Sequence, residues 1–166
     1  MTKPDVPVHL MESPPGAECT IDGRSYLYFG GTSYLGLHGH PDVIAAACEA
    51  TRRYGIHSAT SRSLYGNTPV LLAVERQAAE FFGLDGSFYF ASGYLSNAVL
   101  VQTLAADFDV LFLDESAHYS VVEAALSARL PLVRFRPRDA EDLQRRLQQL
   151  GPNQRPLVLT DGVSPS

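Results

Sequence analysis

Three short segments of the sequence carry side chains that could bind a ligand or move a proton. In the first, Ser92, Gly93 and Tyr94 stand between an apolar run and a helical pattern. The first amides of a helix lack intrahelical partners and attract anions, and a glycine lets a phosphate approach the backbone. The same tripeptide is typical of an ordinary strand-to-helix turn in which serine caps the helix. These residues therefore permit a phosphate site without requiring one.

The second segment contains His118, with Asp114 four positions before it and Ser120 two positions after it. An imidazole there could lie flat on an aromatic ligand, act as an acid or base, or cap its own helix. The three residues could also form a hydrolytic triad. Against a triad, the sequence has no Gly-x-Ser-x-Gly motif, and residues on one segment lack the separated approach that a triad needs.

The third segment is Asp161-Gly162, and all three segments follow apolar runs that alternate with helical periodicity. The predicted strands are 87–91, 109–113, 131–135 and 157–160. The predicted helices are 93–105, 118–128 and 139–150. This alternation is typical of a parallel sheet with right-handed crossovers, and such sheets bind ligands beyond the carboxyl ends of their strands. We therefore expect the three segments to meet at that edge.

The N-terminal half of the chain has a different pattern. Residues 1–20 contain four prolines and no sustained periodicity, which indicates an extended arm. The turn at Asp22-Gly23 predicts a hairpin, and helices are predicted to begin at Pro41 and Pro69. The predicted divisions of the chain are the arm at 1–20, a hairpin and helix at 21–54, and the start of a larger domain at 55–166.

The composition argues against several classes of function. A formal net charge of -5 offers no basic surface to nucleic acid. The sequence has no membrane-length apolar run and no secretory leader, so we expect a cytoplasmic protein that does not bind a membrane. The cysteine and histidine spacings predict neither a disulfide framework nor a metal site. The glycine motifs that bind dinucleotides or nucleoside triphosphates are absent.

Four segments match the motifs of one enzyme family. Residues 90–97 resemble F-x-S-G-[FY]-x-A-N, with Ser96 in place of the alanine, and residues 114–120 fit D-x-x-x-H-x-S. Residues 33–37 are similar to N-Y-L-G-L, and residues 160–163 are similar to [TS]-[DE]-[GS]-V. In this order and spacing, the chain resembles the α-oxoamine synthase family, which comprises pyridoxal-phosphate (PLP) dependent acyltransferases of fold type I.

The resemblance implies a cofactor, PLP, and a role for each site residue. Gly93 and Tyr94 would bind its phosphate through their backbone, and His118 would stack on its pyridine ring as the catalytic residue. The implied cofactor-binding residues are Ser92, Gly93, Tyr94, Asn97, His118 and Asp161. The implied fold is α/β: an incomplete fold-type I large domain, with a mostly parallel sheet and helices on both faces, preceded by the arm. Family members are dimers with active sites at the subunit interface.

The sequence departs from the family pattern at several positions. Leu71 stands where the family usually has histidine, and Pro165 stands where it often has serine. The lysine that binds the cofactor covalently, and the aspartate that pairs with the pyridine nitrogen, would lie beyond Ser166. Lys3 is the sole lysine of the sequence, and an arginine cannot replace a lysine because it stays protonated. We therefore expect non-covalent cofactor binding at most, and no catalysis by this chain alone.

Three functions are consistent with these residues. The first is the N-terminal portion of a homodimeric synthase that condenses an acyl-CoA with an amino acid. The second is a non-catalytic partner or regulatory subunit of a lysine-bearing homologue. The third is a fragment of a fold-type I aminotransferase. A requirement for acyl-CoA separates the first from the third, and stable binding to a lysine-bearing homologue would favour the second.

Overall fold

The computed structural model describes residues 7–163, which fall into two compact units divided between Ser87 and Phe88. The first six residues of the predicted arm lie outside the described residues, and so does Pro165. Within 7–163, no helix is long and apolar enough to cross a membrane. The same range contains no cluster of three or more acidic, histidine or cysteine side chains that could hold a metal ion.

The first unit begins with the predicted hairpin. Strand β1 (Glu18–Ile21) pairs antiparallel with β2 (Arg24–Leu27) around the turn at Asp22 and Gly23. Both turn residues have positive φ, which glycine adopts freely and aspartate adopts more readily than most residues. The hairpin is confirmed, and it begins inside the segment predicted as an extended arm.

The described part of that arm is hydrogen-bonded to the hairpin. The Glu12 amide donates to the Thr20 carbonyl at 2.8 Å, and the Glu12 carboxylate accepts from the Gly23 amide at 2.7 Å. The Asp22 carboxylate accepts from the Leu10 amide, which lowers the pKa of Asp22. Residues 10–12 therefore run along the hairpin because its turn offers them charge-assisted hydrogen bonds.

Helices α1 (Pro41–Tyr54) and α2 (Pro69–Phe82) follow the hairpin and begin at the two predicted prolines. The His40 imidazole caps α1, and the Thr68 hydroxyl caps α2. Proline fits the first helical position because that residue needs no amide donor there. Gly83 ends α2 in the left-handed conformation, with φ of 65°.

The loop between these helices is tied to α2 by an ion pair. The Arg62 guanidinium donates to both carboxylate oxygens of Glu75 at 2.7 and 2.8 Å, and these bonds raise the pKa of Arg62. Gly66 lies so close to the Thr60 carbonyl that a β-carbon would be 2.4 Å from its oxygen. The loop therefore requires glycine at this position.

The second unit is an α/β layer built on a three-stranded parallel sheet. Its helices are α3 (Gly93–Leu104), α4 (Tyr119–Ser127) and α5 (Ala140–Leu147). Its strands are β3 (Val110–Asp114), β4 (Leu132–Phe135) and β5 (Pro156–Leu159). The strand order is β4-β3-β5, and both pairings are parallel. The predicted α/β class and parallel sheet are confirmed.

Helices cover both faces of this sheet because side chains alternate along its central strand. Leu111 and Leu113 are fully buried on the face covered by α3 and α4. Phe112 points to the other face, where Leu143 and Leu147 of α5 pack against it. All five residues of β3 are buried, as expected for a strand with neighbours on both sides.

The predicted strand at residues 87–91 is wrong. This segment forms no strand among the described residues, and it is not part of the three-stranded sheet. Its aromatic rings Phe88, Tyr89 and Phe90 are 59, 49 and 36% exposed. An apolar run indicates that a segment favours burial, but a strand forms only where a neighbouring backbone completes its ladder of hydrogen bonds.

Asp142 is a buried carboxylate that ties α5 to the end of β4. Its side chain accepts from the Arg136 amide at 3.0 Å and from the guanidinium groups of Arg145 and Arg146 at 2.9 Å. The residue is 6% exposed. Hydrogen bonds hold the pKa of Asp142 far below its usual range. The one from the Arg136 backbone amide has the largest effect, and the one from the Arg146 guanidinium has the next largest.

We expect Asp142→Asn to destabilise the protein in a pH-dependent way. A carboxyl with a lowered folded-state pKa contributes stability above its unfolded pKa of about 3.9 and loses it as the pH falls through the folded value. The difference in unfolding free energy between wild type and variant should be largest at neutral pH and should decrease below about pH 4. Urea unfolding at a series of pH values measures this difference. Glu141→Gln, at an exposed position on α5, is the control. If the difference between wild type and Asp142→Asn did not depend on pH, the role assigned to the Asp142 charge would be contradicted.

Candidate functional site

Polar contacts join the segments that follow β3 and β5 at the carboxyl edge of the sheet. The Thr160 hydroxyl donates to the Asp114 carboxylate at 3.1 Å, directly beyond the paired strands. One step further along, the His118 amide donates to the Asp161 carboxylate at 2.6 Å. The sheet thus brings together two of the three segments that the sequence singled out.

The remaining segment, Ser92 to Tyr94, lies at the start of α3. The Ser92 hydroxyl caps the helix by accepting from the Leu95 amide at 3.5 Å. Among residues 7–163, the structure shows no hydrogen-bond partner for the amides of Gly93 and Tyr94. A β-carbon added to Gly93 would meet no atom within 4 Å, so the space beside this backbone is open. The start of α3 therefore combines unpartnered amide donors with open space beside Gly93, two features that an anion site requires.

Asn97 connects α3 to the start of α4. Its side-chain amide donates to the Ser120 hydroxyl at 2.8 Å, and that hydroxyl lies 2.7 Å from His118 Nδ1. Because the Ser120 amide also donates to Nδ1 at 3.2 Å, this nitrogen carries no proton. The neutral imidazole is therefore the Nε2-protonated tautomer, assigned from these partners. His118 caps its own helix through Nδ1, and within residues 7–163 its Nε2 makes no hydrogen bond.

Asp114 stabilises the turn that leads to His118. Its carboxylate accepts from the amide and the hydroxyl of Ser116, both at 2.8 Å, and from Thr160. Burial opposes ionisation of Asp114, but these hydrogen bonds and the charge of Arg138 outweigh burial and lower its pKa. A buried carboxylate with this many donors is a structural anchor of the turn.

The hydrolytic triad is not assembled. His118 and Ser120 are in contact, but the Asp114 carboxylate bonds to Ser116 and Thr160 and makes no hydrogen bond to His118. Ser120 is 3% exposed, so a substrate cannot reach its hydroxyl. A triad needs an accessible nucleophile and a histidine oriented by the carboxylate, and both conditions fail here.

An aromatic series lies beside the histidine. The rings of His118 and Tyr119 are 4.0 Å apart between centroids and inclined by 35°, and the rings of Tyr119 and Tyr94 are 5.3 Å apart. The Tyr94 hydroxyl donates to the Glu123 carboxylate on α4. This bond raises the pKa of Tyr94 to about 12. With its hydroxyl occupied, Tyr94 offers its backbone amide, rather than its phenol, to a ligand at the helix start.

A cavity of about 270 Å³ lies between α3 and β5. Its polar lining comes from Asn97, Thr160 and Asp161, and its apolar lining comes from α3, α4 and β5. The volume is below the usual range of small-molecule pockets. The cavity adjoins the candidate site without containing its histidine or its helix start.

The structure therefore connects all six residues proposed as cofactor-binding, although their roles toward a cofactor stay a prediction. Sequence reasoning missed Glu123 and Tyr119. Glu123 stands 29 positions from Tyr94, and no local pattern pairs the two residues. The spacing of Ser120 and Glu123 on one face of α4 is the signal that could have indicated Glu123, because residues three apart share a helix face.

Comparisons with known proteins identify the class to which this α/β domain belongs. The chain belongs to the aminotransferase class I and II family, whose sequence model matches residues 25–164. It is similar to 8-amino-7-oxononanoate synthase of Nitrosomonas europaea, with 37% identity over 154 residues, covering 93% of this chain and 40% of that protein. The 8-amino-7-oxononanoate synthase of Cellvibrio japonicus is 36% identical over 154 residues, which cover 93% of this chain and 38% of that protein.

A solved structure supports the same conclusion. A serine palmitoyltransferase from S. paucimobilis, with bound PLP and myriocin, superimposes with a TM-score of 0.88 and 32% identity, covering 95% of this chain and 40% of that one. The resemblance to α-oxoamine synthases and the fold-type I architecture are therefore confirmed. The chain spans about 40% of the length of the relatives it matches.

Ser120→Ala tests the hydrogen-bond chain between α3 and α4. Removing the hydroxyl leaves the Asn97 amide and His118 Nδ1 without their shared partner, so we expect a loss of about 1 to 2 kcal/mol in unfolding free energy. Urea unfolding measures the change. Thr103→Ala removes an exposed hydroxyl bonded within its own helix and should cost less than about 0.5 kcal/mol. Equal effects of the two substitutions would contradict the chain.

Proposed function

We propose that this chain supplies the phosphate-binding and ring-stacking residues of a PLP site in an enzyme that condenses an acyl-CoA with an amino acid. The observation that carries the proposal is that hydrogen bonds join the first turns of α3, through Asn97, to the His118 segment and to Asp161 at the carboxyl edge of one parallel sheet. The named relatives, a synthase and a palmitoyltransferase, support the acyl-transfer chemistry.

The residues present fit PLP on two structural grounds. The amides of Gly93 and Tyr94 have no hydrogen-bond partner among residues 7–163, and a β-carbon added to Gly93 would meet no atom within 4 Å, so a phosphate could approach this backbone closely. The His118 ring already takes part in one aromatic contact, with Tyr119, and lies at the exposed edge of the unit. A flat heterocycle with a phosphate arm matches an anion-binding helix start beside an imidazole.

Each residue has a separate task in this proposal. The Gly93 and Tyr94 amides bind the phosphate, and the positive end of the α3 dipole favours its charge. The Ser92 hydroxyl caps α3 and keeps these amides at the helix start. Asn97, acting through Ser120, holds His118 in the Nε2-protonated tautomer. Asp161 fixes the backbone from which His118 projects.

When bound, PLP supplies an electron sink that stabilises negative charge at the reacting carbon of an amino acid. His118 would stack on the ring and exclude water from one face of it. Because Nδ1 accepts hydrogen bonds from Ser120, the ring proton is on Nε2, where it would be held near the reacting atoms.

Non-covalent binding is part of the proposal. Lys3 is the sole lysine of the sequence, and none of the segments that carry the site residues contains a lysine. Covalent attachment of PLP requires a neutral amine, which the 12 arginines do not offer. The chain alone would therefore bind the cofactor reversibly and would not run the reaction. A homodimeric assembly and a cytoplasmic location stay predictions.

Gly93→Ala tests the phosphate site. The added methyl group meets no protein atom, so folding should be unchanged, but it occupies the approach of the phosphate to the backbone. We expect the Kd for PLP to rise by about tenfold or more, which corresponds to about 1.4 kcal/mol. The measurement is a titration of the chain with PLP, followed by the circular dichroism that the bound cofactor acquires.

Gly86→Ala is the matched control, because a β-carbon there also meets nothing within 4 Å. It should bind PLP as the wild type does. A wild-type chain without saturable PLP binding, or a Gly93→Ala variant with unchanged affinity, would contradict the proposed function.

A further inference from the structure

The Tyr94 side chain links the start of α3 to the middle of α4. Its hydroxyl donates to the Glu123 carboxylate, a contact between residues 29 positions apart. The hydrogen bond to Glu123 raises the pKa of Tyr94 to about 12, so the phenol stays protonated well above neutral pH. The phenol therefore remains a hydrogen-bond donor, and its ring stays over α4.

The Tyr94 ring in turn limits the movement of two other rings. Tyr119 is 63% exposed, so few protein atoms hold it besides its neighbours in the aromatic series. Tyr94 packs against it at 5.3 Å, and His118 packs against it at 4.0 Å. Tyr119 thus stands between the residue held by Glu123 and the histidine of the candidate site.

Among the described residues, both hydrogen bonds of the His118 ring are made at Nδ1, and both come from Ser120. They define the mean orientation of the ring, but hydrogen bonds tolerate moderate changes of angle. The tilted contact with the Tyr119 ring, at 4.0 Å between centroids, limits the tilting that remains. If Tyr119 moves, the His118 ring can tilt further from this orientation.

We propose that Glu123 is a positioning residue of the cofactor site, which sets the plane of the His118 ring through Tyr94 and Tyr119. The inference rests on the proposed function, because the ring plane matters only if His118 stacks on PLP. Glu123 itself touches neither the histidine nor the open space at the start of α3. Its effect is transmitted by one hydrogen bond and two ring contacts.

The test uses the whole chain and three variants. Glu123→Ala removes the acceptor, Tyr94→Phe removes the donor but keeps the ring, and Glu123→Gln keeps an acceptor oxygen without the charge. Glu141→Ala, at an exposed position on α5, is the matched control. Far-ultraviolet circular dichroism verifies that each variant is folded.

The first readout is the proton NMR resonance of the hydrogens bonded to the ring carbons of His118, measured without cofactor. The contact with Tyr119 displaces this resonance from its position in a free imidazole by the ring-current effect. His118→Asn identifies it among the signals of the five histidines. We expect Glu123→Ala and Tyr94→Phe to return it toward the free position, whereas Glu123→Gln and Glu141→Ala keep it in place.

The second readout is the Kd for PLP. We expect Glu123→Ala and Tyr94→Phe to raise this Kd by about two- to fivefold, which is the effect expected from losing one partly exposed hydrogen bond. Glu123→Gln should keep the wild-type Kd. A folded Glu123→Ala variant with the wild-type His118 resonance would overturn the inference. A Glu123→Gln variant that behaves like Glu123→Ala would overturn it as well.

Failure of the proposed function gives a different result. In that case even the wild-type chain does not bind PLP, while the His118 resonance still shows whether Glu123 orients the ring. The NMR measurement thus judges the positioning role, and the titration judges the cofactor site.

Discussion

The candidate site depends on the parallel pairing of β3 with β5. These strands are separated along the chain by α4, β4 and α5, yet their pairing sets Leu113 opposite Leu159 and brings the next residues into hydrogen-bond reach. The contact of His118 with Asp161 exists only because of this register. A shift by one residue would turn alternate side chains to the opposite face and separate the two loops.

Buried polar groups carry this arrangement from the sheet to the helices. Asp114, Ser120 and Asp142 are the buried polar residues of the described chain, and each is satisfied by several hydrogen bonds. Burying such groups is costly unless they are paired, so each one selects a single arrangement of its neighbours. Asp114 orders the turn before His118, and Ser120 orders the ring itself. The arrangement of the candidate site therefore follows from the requirement to satisfy buried donors and acceptors.

Local signals in the sequence predicted most elements, and the failures have physical reasons. Proline and capping residues at Pro41, Pro69 and Ser92 located three helix starts, since capping involves residues close in sequence. The strand expected at 87–91 was wrong, because strand formation depends on a partner that a local pattern does not contain. The Tyr94 contact with Glu123 was missed for the same reason. The family motifs identified the six candidate residues, but spacing alone could not show that His118 caps its own helix through Nδ1.

The central claim is that the free amides at the start of α3 bind the cofactor phosphate, and amide NMR tests it most directly. In a proton–nitrogen correlation spectrum of the labelled chain, PLP is added until the changes saturate. The account predicts that the amide resonances of Gly93 and Tyr94 move most, with the His118 ring signals moving at the same PLP concentration. Saturable shifts confined to other residues, or none at all, would contradict it.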